Sequence, residues 1–475
     1  RLSSANFDLD FLNKFVKDTT LNIHGRISGI DVQIQELYLL QNIEANIEVY
    51  ELFIKENSYG SFYGYVRTDH LEAPLEWRFT MQRGIKQPNL RVAGVWLPSG
   101  KEPKTGQDVK FTVNPGEFKT SVKADSFQLV VLETFVPGIS KTAGYLNADA
   151  MLDGTFKQIG IDGDARILNG QFQIDYLKTM YHLRNQRIKL TNYQIWADKD
   201  TIWDATERNM ALIKGGLRHN HFKDWSLDCT IESTNNNFMI LNTLPEDNAL
   251  YYGQGIGRFK AVFSGTFART NIAIDATTGK DTRLYIPITT AYESSVVNFI
   301  NFKNKNEDST TTSIKTNSFL SEIKGLNLEM NLSVTDEAEV QLIFDEKAGD
   351  IIKGRGEGDI TLTINREGEF KMYGSYQIRR GEYLFTLLNW VNKPFTVLEG
   401  GTINWYGDPY GAQISLDATY EENTSLYNLL RDEVELIPSV TTEAGKATRV
   451  IVTMHLKGDL MKPNISFDLE FPNIS

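Results

Sequence analysis

Apolar and polar residues alternate along most of this chain, and this period of two constrains the fold more than any other feature. Residues 356–376, GEGDITLTINREGEFKMYGSY, show it clearly, with glycines interrupting the alternation. Side chains of a β-strand point alternately to opposite faces, so each alternating segment predicts a strand with one apolar face. Further alternating segments lie at 146–152, 172–176, 259–263, 414–418, 450–454 and 465–471.

Helical patterns are few. Short helices are predicted near residues 9–17, 296–302 and 426–430. Apolar residues make up 41% of the 475 residues, enough to bury a core, and no run approaches 18 consecutive apolar residues. The predicted fold class is therefore all-β, with a little helix.

Composition excludes several functions. The formal net charge is −12 and no basic run is present, so a nucleic-acid partner is not expected. The single cysteine, Cys229, excludes an intrachain disulfide framework and a multi-cysteine metal site. No nucleophile elbow, zinc-protease motif or P-loop is present, so we predict neither an enzyme nor a cofactor.

Three local motifs have structural explanations. His219 and His221 form HNH, whose imidazoles would share a face on a strand, but no other ligand lies nearby except Cys229, so we predict no metal. The IDGDAR stretch at 161–166 offers too few oxygens for calcium and is interpreted as a turn. Turns also account for the glycine-rich segments 253–259 and 354–358, because no helix follows them.

A repeated unit is spaced through the chain by about 100 residues. Each copy has a glycine, a strand of about nine residues and a Gly-x-Phe corner. Its glycine pairs are Gly144 and Gly154, Gly255 and Gly265, and Gly358 and Gly368. The favoured interpretation is a meandering antiparallel sheet. The alternative is the ordinary preference of aromatic-rich hairpins for glycine at turns.

A long sheet with one apolar face must cover that face. A two-sheet sandwich, a closed barrel and a curled sheet with an apolar trough all do so, and the alternation alone does not choose between the sandwich and the trough. A trough would need an apolar filling. Acyl chains suit it, because each buried methylene contributes roughly 0.8 kcal/mol without fixing an orientation.

Residues 354–420 carry the most specific family resemblance. GRGEGDITLTINREGEFKMYGSYQIRRGEYLFTLLN is followed by KPFTVLEGGTINWYGDPYGAQISLDATY, and GGTINWYGDP, residues 400–409, is its strongest part. These motifs resemble the C-terminal region of the translocation-and-assembly-module B (TamB) family, within the AsmA-like superfamily. Upstream, residues 144–181 and 236–267 are similar to that family too.

The resemblance implies a fold and a cellular setting. It implies an elongated, twisted, curled antiparallel sheet, a β-taco with an apolar groove. It also implies a periplasmic protein of a Gram-negative bacterium, with an inner-membrane anchor upstream and an outer-membrane barrel of the BamA/TamA type as partner. Insert style and aromatic richness are typical of a Bacteroidota member.

The resemblance also suggests a division of the chain. Residues 1–140 are expected to form an upstream β-taco segment, and residues 141–475 the TamB-type region, with mobile inserts near 303–317 and 431–447.

The groove is expected to be lined by the apolar faces of the predicted strands. On the later strands, a turn at Gly381 is expected to bring the residues after it onto the same face. The candidates are Leu146, Phe172, Ile174, Phe259, Phe263, Ile360, Leu362, Ile364, Phe370, Met372, Tyr376, Tyr383, Phe385, Leu387, Ile414 and Leu416. In the 400–409 motif a structural role is expected for Gly400, Gly401, Trp405, Gly407, Asp408 and Pro409. The alternative is that the groove residues pack against a second sheet.

Three functions follow from these features. The first is a lipid-transfer bridge that carries phospholipid acyl chains along the groove from inner to outer membrane. The second is a scaffold or chaperone of outer-membrane protein assembly or secretion that acts through its edge strand. The third, a carbohydrate-binding or carbohydrate-cleaving β-helix or sandwich, fits the strand spacing less well.

Overall fold

Nearly all of the described chain is β-strand in the computed structural model. The all-β, antiparallel, curled class expected from the alternation and the family resemblance is confirmed. The described residues are 2–4, 7–14, 22–36, 41–54, 57–70, 72–84, 88–100, 104–105, 112–135, 138–175, 177–247, 251–287, 326–345, 349–387, 391–427 and 446–472. They divide into two compact units, unit 1 (Arg1–Glu232 with Phe263–Phe267) and unit 2 (Ser233–Val262 with Ala268–Ser475).

In unit 1, the long strands from β3 to β7 and from β10 to β15 pair in an antiparallel series. Its strands are β1 (Leu2–Ser4), β2 (Phe7–Asp8), β3 (Ile23–Glu36), β4 (Gln41–Ile54), β5 (Asn57–Thr68), β6 (Leu75–Gln82), β7 (Leu90–Trp96), β8 (Lys104–Thr105), β9 (Thr112–Val113), β10 (Phe118–Gln128), β11 (Ile139–Thr155), β12 (Gln158–Ile174), β13 (Thr179–Thr191), β14 (Gln194–Trp203), β15 (Met210–Asn220) and β16 (Lys223–Ser233). Two 3-10 helices, Leu9–Lys14 and Leu129–Val131, and the α-helix α1, Leu132–Phe135, complete it.

In unit 2, β24 pairs with β23 on one side and with both β25 and β26 on the other, after which β27, β28 and β29 follow. Its strands are β17 (Phe238–Thr243), β18 (Tyr252–Thr266), β19 (Arg269–Thr278), β20 (Arg283–Pro287), β21 (Leu326–Val334), β22 (Glu339–Asp345), β23 (Asp350–Ile364), β24 (Phe370–Leu387), β25 (Val391–Val397), β26 (Thr402–Gly407), β27 (Gln413–Ser425), β28 (Ala447–Asp459) and β29 (Asn464–Glu470). The pairs β19/β21 and β20/β22 are parallel.

Ring contacts show that the sheet of unit 1 curls. Tyr59 on β5 and Phe127 on β10 are three strand spacings apart, which is about 14 Å along a flat sheet. Their ring centroids are only 6.2 Å apart. Such an approach requires the strands between them to bend, so that the two side chains meet from facing walls. We call the concave side of each curled sheet its inner face.

Unit 2 curls more tightly. Phe385 on β24 and Phe467 on β29 are four strand spacings apart, or about 19 Å along a flat sheet. Their ring centroids are 5.9 Å apart, and Phe467 also approaches Phe395 on β25, at 6.5 Å. The last strand therefore folds back over the inner face of β24 and β25.

The glycine-rich segments and the IDGDAR stretch lie within strands, so their interpretation as turns is wrong. They belong to β18, β23 and β12. At Gly356 an added Cβ would lie 2.0 Å from the carbonyl oxygen of Gln377 on β24, and at Gly163 one would lie 2.5 Å from that of Asp149 on β11. Glycine is needed there because neighbouring backbones approach too closely for a side chain.

The Gly-x-Phe corners do lie at hairpins. Phe156 and Phe267 occupy the turns between β11 and β12 and between β18 and β19, and Phe370 begins β24 after the preceding turn. The first two rings are exposed, at 63% and 60%. A repeated hairpin corner therefore recurs along the chain.

Several sequence predictions fall on residues outside the described ones. They are the helix at 296–302, the insert at 303–317 and most of the helix at 426–430. Of the insert at 431–447 only the last two residues are described, and Ala447 begins β28. The predicted division of the chain at residue 140 stays a prediction.

We predict that Gly356→Ala lowers the stability of unit 2 by roughly 1–3 kcal/mol, because the new methyl group would collide with backbone rather than with a movable side chain. The matched control is Gly29→Ala on β3, where nothing lies within 4 Å of an added Cβ. Thermal and urea unfolding would compare them. Equal stability of the two variants would contradict the close approach of β23 and β24.

Candidate functional site: the apolar inner face

A β-bulge in β24 decides which residues face inward. β24 runs unbroken from Phe370 to Leu387, so the turn predicted at Gly381 is wrong. Its register against β23 shifts where Arg355 pairs with Arg380 and Gly356 pairs with Ile378, leaving Arg379 as the extra residue. A bulge of one residue reverses the alternation of faces. Even-numbered side chains therefore face inward before it and odd-numbered ones after it.

Two ion pairs surround the bulge on the outer face. The Arg379 guanidinium donates to Glu357 on β23 and, at 2.7 Å, to Glu399 in the loop before β26. Hydrogen bonds to these two carboxylates raise the pKa of Arg379 above its ordinary value. Because this side chain is exposed, the pairs define the geometry of the bulge more than they stabilise the fold.

Most of the predicted groove residues of unit 2 lie in or against one apolar cluster, and the bulge adds Tyr383 and Phe385 to it. Its buried side chains come from eight consecutive strands, β21 to β28, and from the loops that join them. The predicted residues in or against the cluster are Ile360, Leu362, Met372, Tyr376, Tyr383, Phe385, Ile414 and Leu416. Many members are completely enclosed, with Met454, Leu456 and Ala418 at 0% exposure. This part of the inner face is filled by the chain's own side chains.

Residues 400–409 attach to the same cluster. Ile403 and Trp405 on β26 are buried in it, whereas Tyr406 points outward at 73% exposure. The Trp405 Nε1 donates to the carbonyl oxygen of Pro409, 3.2 Å away. The indole thus packs inside the cluster and holds the chain as it leaves the strand.

The same motif supplies its own turns. Gly400 has φ +102° in the turn before β26, and Gly401, buried against Leu416, follows it. Gly407, with φ +128°, ends β26. The Asp408 carboxylate then accepts a hydrogen bond from the backbone N–H of Tyr410, at 3.0 Å.

The remaining predicted residues lie elsewhere on strands. Ile364 is buried and Phe370 half-buried, but neither is part of the unit 2 cluster, and the side chain of Leu387 is outside the described ones. Phe259 packs edge-on against the buried ring of Phe238, at 5.3 Å, and Phe263 lies on the same face as buried Ala261.

In unit 1 the predicted residues are less enclosed. Leu146 on β11 is half-buried and pairs with Phe127 and Ile167 on its two neighbouring strands. Phe172 is half-buried against Tyr181, at 5.8 Å, and Ile174 is half-buried at the end of β12. Tyr145 directly precedes Leu146 on β11, so its side chain lies on the opposite face of the sheet. Apolar side chains on this inner face therefore keep accessible surface.

The buried part of the inner face of unit 2 is uncharged, because no buried side chain among its described residues carries a charge. The half-buried Asp350 carboxylate lies beside the Tyr383 hydroxyl. Burial raises the pKa of the Tyr376 and Tyr383 hydroxyls, and Asp350 raises that of Tyr383 further. Both phenols thus remain neutral at physiological pH. The Tyr376 hydroxyl makes no hydrogen bond with any described residue, so a polar atom is enclosed within this apolar surface.

The HNH motif does not form a ligand pair. β15 ends at Asn220, and His221 lies in the following turn with φ +52°. His219 is 4% exposed and packs against Trp225, while the His221 imidazole meets the carbonyl oxygen of Ile159 at 3.1 Å. No group of metal-ligating side chains was found within the described ranges. Burial raises the pKa of the Cys229 thiol to about 11.

Sequence reasoning missed several residues of the cluster. Ile352 and Ile378 are 2% and 1% exposed, and Phe395, Met454 and Leu456 are equally enclosed. The alternation around Met454 was visible. The inward position of Ile378 continues the even-numbered alternation of Met372 and Tyr376, because the bulge at Arg379 comes after it.

Fold and inner face together define a class of protein: a curled antiparallel sheet whose concave side is apolar. Within that class, the sequence model of the TamB C-terminal domain matches residues 199–475, more than half of the chain, and the chain belongs to the TamB family. Comparisons with curated proteins and with solved structures gave no match.

Membership in the family assigns the protein to transport and assembly that serve the outer membrane. The family spans the periplasm. In the described part of this chain, no helix has the length and apolar character needed to cross a membrane.

We predict that Ile352→Ala and Ile465→Ala differ strongly in cost. Ile352 is 2% exposed and its truncation should lower stability by about 2–5 kcal/mol, whereas Ile465 on β29 is 40% exposed and should cost less than about 1 kcal/mol. Denaturant unfolding of both variants measures the difference. A similar loss of stability in both variants would contradict the structure, in which the inner face is packed at Ile352 and open at Ile465.

Proposed function

We propose that the protein is a lipid-transfer bridge that carries phospholipid acyl chains along its apolar inner face from the inner to the outer membrane. The observation that supports this best is the concave apolar face itself, uncharged where it is buried in unit 2 and still accessible around Leu146 in unit 1. A predominantly apolar surface offers acyl chains burial and offers a polar substrate few partners. We therefore propose no catalytic role.

Energetics favour a sliding ligand. Each methylene that leaves water gains roughly 0.8 kcal/mol, so a sixteen-carbon chain would gain on the order of 10 kcal/mol. The contact is non-directional, so it does not fix an acyl chain in one orientation. Such a surface retains an acyl chain while allowing it to move.

The proposed setting follows the family. The protein would act in the periplasm of a Gram-negative, Bacteroidota-type bacterium, tethered to the inner membrane by a segment upstream of Arg1. A BamA/TamA-type barrel would receive its other end.

A second function is supported by β29. Among the described strands only β28 pairs with it, and all seven of its residues are exposed. An exposed edge accepts a further strand through its free backbone groups. A scaffold or chaperone of outer-membrane protein assembly would use this edge instead of the inner face.

Mass spectrometry of organic extracts tests the first function. We expect phospholipid to co-purify with the wild-type chain. The amount of bound phospholipid should fall severalfold in Leu146→Asp, because burying a carboxylate against acyl chains costs desolvation free energy. Tyr145→Asp places the same charge on the opposite face of the same strand and should retain lipid.

Circular dichroism and thermal unfolding would establish that both variants are folded. Equal lipid in wild type and both variants, or lipid in none of them, would contradict transfer along the inner face and favour the edge-strand scaffold.

A further inference from the structure

His455 connects three strands on the outer face of unit 2. It lies on β28, where Asp417 of β27 is its direct cross-strand neighbour, and Asp468 reaches it from β29. The His455 Nδ1 is 2.6 Å from an Asp417 oxygen, and the Nε2 is 3.1 Å from an Asp468 oxygen. The imidazole is therefore the only described side chain that hydrogen-bonds to both neighbouring strands there.

These two contacts require the His455 imidazole to be protonated. Both carboxylates are acceptors, so both ring nitrogens must donate, and only the imidazolium has two N–H groups. Neutral imidazole keeps one N–H and leaves a carboxylate facing a nitrogen lone pair. The shorter contact, to Asp417, is the stronger one, so deprotonation is expected to release Asp468 and with it the side-chain contact that supports the backbone pairing of β28 with β29.

β29 covers the apolar cluster. Phe467 is paired with Met454 and lies against Phe385, and Ile465 is paired with Leu456. Met454 and Leu456 are 0% exposed beneath it. Among the described strands only β28 pairs with β29, so this strand is held by one backbone ladder and by the ring contacts of Phe467. Loosening it would expose the cluster and the backbone edge of β28.

We propose that His455 is a proton-operated latch that holds β29 closed over the apolar cluster when protonated and loosens it when neutral. This regulation rests on the proposed function, because it controls access to the inner face and to the backbone edge of β28. A partner or membrane surface that changes local acidity would thus open or close this end of unit 2.

The surrounding charges set the direction. Asp417 from β27 and Asp468 from β29 favour the protonated form, while Lys457, two residues along β28 on the same face, opposes it. Glu470 is on the same face of β29, four residues beyond the residue paired with His455. Hydrogen bonds to Asp417 and Asp468 raise the pKa of His455 above its ordinary value near 6.5. The stabilisation is therefore complete below about pH 6.5 and is lost as pH rises through the higher folded-state pKa.

Hydrogen exchange measured by mass spectrometry tests the latch. Protection of residues 464–470, corrected for intrinsic exchange, is followed from pH 6 to pH 9 in the purified chain without added lipid. We expect wild-type protection to fall by about two- to fivefold across the transition, as for a partly exposed charged contact. In both His455→Gln and Asp468→Asn, protection of residues 464–470 should be low and independent of pH.

Glu470→Gln is the matched control, since it removes a carboxylate from the same face of β29 without touching the imidazole, and it should behave like the wild type. The latch is overturned if wild-type protection of β29 does not change with pH, or if Asp468→Asn keeps the wild-type transition. Neither outcome depends on lipid co-purification, so failure of the latch and failure of lipid transfer are distinguishable.

Discussion

Contacts between aromatic rings on facing walls hold each sheet in its curl. Tyr59 meets Phe127 in unit 1, and Phe467 meets Phe385 and Phe395 in unit 2, each across several hydrogen-bonded strands. Aromatic pairs bury large areas and add about 0.5–1.5 kcal/mol beyond that burial. Together with the burial of aliphatic side chains, they favour the curled form over a flat sheet and so maintain the concave surface on which the proposed function depends.

Sequence patterns predicted the positions of the strands well, but they predicted less well which face of the sheet each side chain occupies. Period-two alternation predicted strands that the structure contains, such as 146–152 within β11 and 450–454 within β28. Alternation fails wherever a bulge inserts a residue. Tyr383 and Phe385 were expected on the inner face for a wrong reason, a turn at Gly381, whereas Arg379 supplies the bulge. A bulge depends on the register between two strands, which a single sequence does not contain.

Glycine was misleading for a related reason. Glycine-rich runs usually mark turns, yet Gly356 and Gly163 lie within strands where a neighbouring backbone leaves no room for a side chain. The packing that requires them is tertiary.

The inner face of unit 2 has two parts: a filled cluster around Met454 and an accessible margin on β29. The filled cluster gives the sheet stability, and the accessible margin is where the proposed contact with acyl chains would be made.

The central claim is that the inner face, not the outer one, contacts phospholipid. A photoreactive phenylalanine analogue placed at Phe467, 47% exposed on the inner face, or at Tyr406, 73% exposed on the outer face, tests it directly in living cells. The account predicts phospholipid adducts at position 467 and only background at position 406, although the latter is more accessible. Equal labelling at both positions, or labelling at 406 alone, would contradict it.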